Sequence, residues 1–268
     1  MPEEPTTPDL VELVREQVEA LGRGDVDGVM SSVAEDGVLD GRAELIEGRA
    51  AIRGFLEEWF GAYEELAFEL EEVSHLGDGV VFAVVIQDGR LIGSAGRVRQ
   101  REGWVYLFIG SSIARLTTSE VRGARAGAER LAEERGRAVS QENVETVRRA
   151  IAAINARNIG AYLACCTENV ELLLPMAGAQ YLGADGIKRF FTDIEHIGPD
   201  FRIEVERVQA TADGNVLAFL RIGATGRASG VVTAADSANV YAFVDGKISR
   251  VRIFLDRDEA PKAVGLEE

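Results

Sequence analysis

The chemistry open to this chain is narrow. Its 268 residues include two histidines and two cysteines. His75 and His196 stand 121 positions apart, and neither belongs to an HExxH motif or a Cys/His cluster of metal-ligand spacing. No metal site is expected. Cys165 and Cys166 are adjacent, an awkward geometry for a disulfide, and they read as two small apolar residues on a buried helix. No GxSxG motif marks a nucleophile. Gly89, Gly93 and Gly96 do not join a strand to a helix, as phosphate-binding loops require. What remains is a polar run, Asp236-Ser237-Ala238-Asn239-Val240-Tyr241-Ala242-Phe243. As a strand it alternates. Ser237, Asn239, Tyr241 and Phe243 share one face, and Asp236 falls on the other unless a bulge precedes it.

The elements that must position this run are written twice. Val11-Glu12-Leu13-Val14-Arg15 matches Val144-Glu145-Thr146-Val147-Arg148 at an offset of 133. Gly48–Phe55 matches Gly183–Phe190 at 135, and so do Asp78-Gly79 and Asp213-Gly214. Near the end Gly103 falls on Gly246 at 143, which predicts a longer loop around residues 223–234 in the second copy. In the first copy Thr7-Pro8 reads as a helix start. Val11, Val14, Val18 and Leu21 form a helical stripe that Gly22 and Gly24 end. A short helix follows from Asp25 to about Val33, and a third carries Ile52, Phe55, Leu56, Trp59 and Phe60. Strands are predicted near 66–75, 79–87, 90–101 and 104–116. Gly77-Asp78-Gly79, Asp88-Gly89 and Glu102-Gly103 are read as their turns. The second copy starts a helix at Ser140 with the stripe Val144, Val147, Ile151 and Ile154, and places turns at Asp213-Gly214 and Asp245-Gly246. Helices followed by an antiparallel meander define an α+β class.

Composition narrows the function classes. Hydrophobic residues make up 46% of the chain, enough for a core. The net charge of -16 repels phosphate backbones and anionic lipid, so neither nucleic acid nor membrane is an expected partner. The excess is uneven: residues 1–118 carry 10 basic and 23 acidic groups, residues 144–268 carry 14 and 17. The acidic, Pro-rich start Met1–Pro8 lacks a signal-peptide pattern, and no apolar run reaches spanning length, so a cytoplasmic location is expected. Residues 119–139, rich in Ala, Arg, Glu and Gly, read as a helical linker.

Two motifs carry a family resemblance. Ser140-Gln141-Glu142-Asn143-Val144-Glu145, continuing through Val147-Arg148-Arg149-Ala150, resembles the opening of SnoaL-like domains of the nuclear transport factor 2-like superfamily. Phe243-Val244-Asp245-Gly246-Lys247-Ile248 and Phe254-Leu255-Asp256-Arg257-Asp258-Glu259-Ala260 resemble that family's last strands and tail. The resemblance implies two tandem cone-shaped domains, each a curved antiparallel sheet packed against about three N-terminal helices. Their bounds are 9–118 and 140–260, joined by the linker 119–139. It also implies an internal pseudo-dimer and an apolar pocket, with no cofactor. Enzymes of this fold resemble one another in moving a proton beside a carbonyl with Asp, His or Tyr. Asp236 and Tyr241 are the catalytic candidates on that basis. Tyr162, Tyr181, Ser237, Asn239, Tyr241 and Arg252 are the ligand-binding candidates. Which face of the last strand turns inward stays open. In many similar sequences His and Trp hold the places of Asn239 and Tyr241, and an amide cannot titrate. At offsets of 143 and 133, Asn239, Tyr241 and Tyr162 fall on Gly96, Val98 and Val29, so the first copy reads as degenerate. The functional expectation is a protein that binds a small apolar molecule in the second copy. The alternative is a cofactor-independent isomerase, cyclase or hydratase working there by proton transfer.

Overall fold

A computed structural model describes residues 9–41, 44–174, 178–198, 200–211, 213–225 and 232–263. The chain divides into two compact units, residues 1–135 and 136–268. Unit 1 holds helices α1 (Leu10–Gly22), α2 (Val26–Ser31) and α3 (Arg49–Gly61), with strands β1 (Val33–Asp40) and β2 (Leu45–Glu47) before α3. A meander follows: β3 (Tyr63–Gly77), β4 (Val80–Leu91), β5 (Val98–Ile109) and β6 (Ser112–Ser119). Helix α4 (Val121–Asn155) runs on into unit 2. There the order repeats as α5 (Ile159–Ala164), β7 (Cys166–Leu174), β8 (Ala179–Leu182), α6 (Gly183–Ile197), β9 (Arg202–Ala210), β10 (Val216–Thr225), β11 (Val232–Val244) and β12 (Lys247–Phe254). A short α7 (Glu259–Ala263) ends it.

Each unit is the expected α+β cone, a six-stranded sheet whose inner face meets the N-terminal helices, ordered β2-β1-β6-β5-β4-β3 and β8-β7-β12-β11-β10-β9. Four of the five pairings in each sheet are antiparallel. The fifth, β1 with β6 or β7 with β12, is parallel. The whole meander separates those partners, so no hairpin fixes their direction. Alternation sorts the faces. Val81, Ala83, Val85, Trp104, Tyr106 and Phe108 meet the helices of unit 1 inside. Val80, Phe82, Val84 and Val105 turn outward against Ala124, Ala128 and Ala132 of α4. In unit 2 the interior includes Val216, Ala218, Tyr241 and Val251, and the outer face packs Leu217, Ala238, Val240 and Phe254 on Ala260.

Several expectations are corrected. Asp9 caps α1, its carboxylate accepting from the Val11 and Glu12 amides at 3.0 and 3.4 Å; Thr7 and Pro8 lie outside the described residues. Ser140 starts no helix, because α4 is continuous through it from Val121. Asp88-Gly89 and Glu102-Gly103 are not turns, since both pairs lie within strands. Their glycines mark close approaches instead. A Cβ on Gly89 would sit 2.8 Å from the Tyr63 ring, and one on Gly103 would overlap Ala124 and come within 3.0 Å of the Val121 Cα.

The register also corrects the internal alignment. Val81 pairs with Tyr106 and Ala83 with Trp104, as Val216 pairs with Tyr241 and Ala218 with Asn239. The offset of 135 set by Gly79 and Gly214 therefore holds through the sheet. It continues to Ile113 and Ile248, whose amides donate to Ser32 and Cys165. No insertion lengthens the β10–β11 loop: β10 ends at Thr225 and β11 starts at Val232, against Leu91 and Val98 in unit 1. Tyr241 thus corresponds to Tyr106 and Asn239 to Trp104, and the first copy carries polar groups of its own.

Candidate functional site

Unit 1 holds a partly open cavity of about 350 Å³, within the range of small-molecule sites at its lower end, with the exposed Glu44 and Gln100 at its rim. Its floor is the inner sheet face and its walls are helical. Helix α1 supplies Gln17 and Leu21, α3 supplies Ile52, Phe55 and Trp59, and β5 supplies Gln100, Glu102 and Trp104. Helical periodicity sets the first group, since Gln17 lies one turn below Leu21 on the stripe that also buries Val14 and Val18. Alternation sets the last group. Both tryptophans of the chain line the cavity. Phe55 stacks on Trp59 at 6.2 Å, and Phe68 bridges Trp59 and Trp104 at 5.6 and 6.3 Å. This chain of rings fixes the indoles in place.

The polar inventory of this wall is mostly uncharged. Gln87 Nε2 donates to the Tyr63 hydroxyl at 3.3 Å. Two other buried atoms have no hydrogen-bond partner among the described residues: Gln17 Oε1, on a side chain 4% exposed, and Trp104 Nε1, on one 6% exposed. Leaving a buried donor or acceptor unpaired costs about 1–3 kcal/mol. Tyr106, next along the strand, is also buried with its hydroxyl unpartnered, and burial pushes its pKa above the ordinary phenol value.

Unit 2 treats its expected site residues differently. Ser237, Asn239 and Tyr241 do share the inner face and are buried, together with Tyr162. Asn239 Nδ2 donates to the Tyr241 hydroxyl at 3.3 Å, while Asn239 Oδ1 and Ser237 Oγ have no partner among the described residues. Tyr162 meets the Phe191 ring edge-on at 5.7 Å. Burial pushes the Tyr241 phenol up to about 12, partly opposed by the Asn239 hydrogen bond, and raises Tyr162 well above its ordinary value. Burial, with Cys165 alongside, pushes Cys166 up to about 12. Tyr181 sits at the edge, donating to Asp193 Oδ2 at 2.8 Å beneath the Arg189 guanidinium. The apolar cavity described above is lined by residues of unit 1, whereas the sequence expectation is a pocket in the second copy.

Two candidates are removed from any interior site. Asp236 is exposed on the outer face, 3.3 Å from both Arg221 and Arg257. Strand alternation put it there, and no bulge interrupts β11 between Asp236 and Tyr241. Arg252 is also outside, its guanidinium 5.0 Å above the Phe254 ring, because Val251 and Ile253 take the inward positions of β12. His75 and His196 are exposed. Among the described residues no three His, Cys, Asp or Glu side chains gather as a metal site, and no helix is long and apolar enough to cross a membrane.

Sequence reasoning missed Gln17, Trp59 and Trp104. The signals were a polar residue on the buried stripe of α1 and the period-two aromatic run Trp104, Tyr106, Phe108.

Comparison with known proteins agrees with this fold. The SnoaL-like domain family matches residues 14–116 and again 147–251. The chain belongs to that family and carries its domain twice. No curated protein matches it. Among solved structures it is similar to a putative SnoaL-like polyketide cyclase from Jannaschia sp. CCS1, at 18% identity over 48% of this chain and 96% of that one, with a TM-score of 0.40. It is also similar to an uncharacterised cystatin-fold protein from Novosphingobium aromaticivorans, at 24% identity over 42% and 97%, TM-score 0.38. A third is a hypothetical protein of ketosteroid isomerase-like fold from Catenulispora acidiphila, in complex with trimethylamine, at 18% identity over 42% and 86%, TM-score 0.38.

Proposed function

We propose that this chain binds a small, largely apolar molecule, and that unit 1 holds the site. The observation that carries the reading is the 350 Å³ cavity walled by Trp59, Phe55, Trp104 and aliphatic side chains. A cavity of that size forgoes packing contacts, and a ligand restores them. The test is a thermal-shift and tryptophan-fluorescence screen of small neutral aromatics on the full chain. A binder should perturb the indole emission directly, and Leu116→Trp, which fills the cavity, should abolish the effect. Binding unchanged in Leu116→Trp would move the site elsewhere.

A second reading, cofactor-independent proton transfer, has one observation in its favour: the Glu102 carboxylate belongs to the same wall. A carboxylate beside a bound carbonyl is a usable base. Any isomerisation or cyclisation of a ligand found by the screen should then be lost in Glu102→Gln while binding persists. Turnover that survives Glu102→Gln rejects this reading.

A further inference from the structure

Every mostly apolar cavity can take an oily ligand, so the polar atoms on its wall decide which one. Gln17 comes from α1 and Trp104 from β5, on elements far apart in sequence. Each side chain is more than nine-tenths buried, and each keeps one polar atom without a protein partner. One of these atoms is an acceptor, the amide Oε1. The other is the indole N–H, which can only donate. The folded chain carries the cost of both, which is hard to account for by stability alone, since a leucine and a phenylalanine would fill the same places. The other polar side chains of the wall are the neutral Gln87, Gln100 and Thr118 and the carboxylates Glu44 and Glu102, and the wall carries no basic group among its described residues.

We infer that the cavity recognises a compact, non-anionic molecule that presents a hydrogen-bond acceptor, such as a carbonyl, to Trp104 Nε1 and a donor, such as a hydroxyl, to Gln17 Oε1. This rests on the cavity being the binding site and adds the chemistry of the ligand. A site built on buried polar groups discriminates strongly, because an analogue lacking the matching group leaves them unpaired. An anion would be desolvated beside the Glu44 and Glu102 carboxylates with only neutral donors to compensate it.

The test uses three probes of one shape: 4-hydroxyacetophenone (acceptor and donor), p-cymene (neither) and 4-hydroxybenzoate (anionic). They are titrated into the full chain and followed by the two indole N–H signals in a ¹H–¹⁵N spectrum, with Trp104→Phe assigning the Trp104 signal. The expected result is that 4-hydroxyacetophenone moves the Trp104 signal and binds at least tenfold tighter than 4-hydroxybenzoate. Gln17→Leu and Trp104→Phe should each weaken 4-hydroxyacetophenone about tenfold and leave p-cymene as tight or tighter. Ligand-free Gln17→Leu should melt no lower than the parent, which shows that the amide is not holding the fold together. If both variants shift p-cymene and 4-hydroxyacetophenone equally, or if the anion binds as well as the neutral probe, the inference is overturned while the cavity remains a binding site. If no probe moves either indole signal, the cavity reading itself falls and this inference falls with it. Should Trp104→Phe fail to fold, Gln17→Leu alone decides the matter.

Discussion

Tyr106 holds in unit 1 the place that Tyr241 holds in unit 2, each paired across the sheet with the valine that follows an equivalent turn, Val81 or Val216. They differ in one partner. The Tyr241 hydroxyl accepts from Asn239 Nδ2 at 3.3 Å, whereas the Tyr106 hydroxyl is buried with no partner among the described residues. The same substitution should therefore act in opposite directions. Tyr241→Phe strands a buried amide N–H and should destabilise unit 2 by about 1 kcal/mol. Tyr106→Phe removes an unsatisfied hydroxyl and should leave unit 1 unchanged or more stable. Urea unfolding of both variants checks this, and equal losses would show that the two phenols sit in like surroundings after all.

Alkaline pH should weaken unit 2. Burial raises the pKa of Tyr241 from 10.0 and of Cys166 from 9.0, each to about 12. Below about pH 8 both groups are almost wholly neutral in either state, so the full stability is present. Between about pH 9 and 12 the unfolded chain releases its protons first, and stability falls as pH rises through the folded values. The chain supplies separate reporters: both tryptophans are in unit 1 and both cysteines in unit 2. Thiol labelling at pH 8 should be slow in the folded protein and fast in urea. The urea midpoint of labelling should drop steadily from pH 9 to pH 11, with a shallower fall in Tyr241→Phe. A flat midpoint would mean that these groups titrate normally in the fold.

The sequence made the fold legible and the site much less so, for physical reasons. The stripe of α1, the turns at Asp78-Gly79 and Asp245-Gly246 and the repeat itself follow from periodicity and turn chemistry, which are local. The strands β1 and β2 were missed: Val33–Asp40 is acidic, contains Gly37 and joins the sheet only through distant β6. A match of Gly103 to Gly246 puts the two copies out of register, because Gly246 is a turn residue and Gly103 is not. It sits mid-strand beneath α4, a tertiary fact that no neighbouring residue announces. That slip set Asn239 opposite Gly96 instead of Trp104 and made the first copy look empty. Whether a cone is hollow depends on side-chain volumes summed over several elements, which a single strand pattern does not contain.

The docking of α4 makes Gly103 a sharp probe. A Cβ there would overlap Ala124 and lie 3.0 Å from backbone at Val121, and neither can yield without lifting the helix. Gly103→Ala should cost unit 1 about 1–3 kcal/mol. Gly123, two residues into the same helix, has nothing within 4 Å of an added Cβ. Gly123→Ala should instead stabilise by up to about 1 kcal/mol through helix propensity. Tryptophan-monitored urea curves separate the two, and a tolerated Gly103→Ala would place α4 away from β5.

Asp236 and Arg257 face each other outside unit 2 but should respond unequally to mutation. Asp236 is an exposed acid with two arginines at 3.3 Å, the kind of pair worth at most about 1 kcal/mol in water. Arg257 is less exposed and ties three strands together. It pairs with Glu206 of β9 at 2.8 Å, donates to the Leu220 carbonyl of β10 at 2.9 Å and reaches Asp236 of β11. Asp236→Asn should therefore change unfolding by less than about 1 kcal/mol and leave ligand binding untouched. Arg257→Ala should cost more, about 1–3 kcal/mol, because it strands the Leu220 carbonyl along with Glu206. Urea curves at low and high salt discriminate further: screening should erase the Asp236→Asn difference and preserve most of the Arg257→Ala loss. A binding defect in Asp236→Asn would bring this carboxylate back as a functional group despite its outward position.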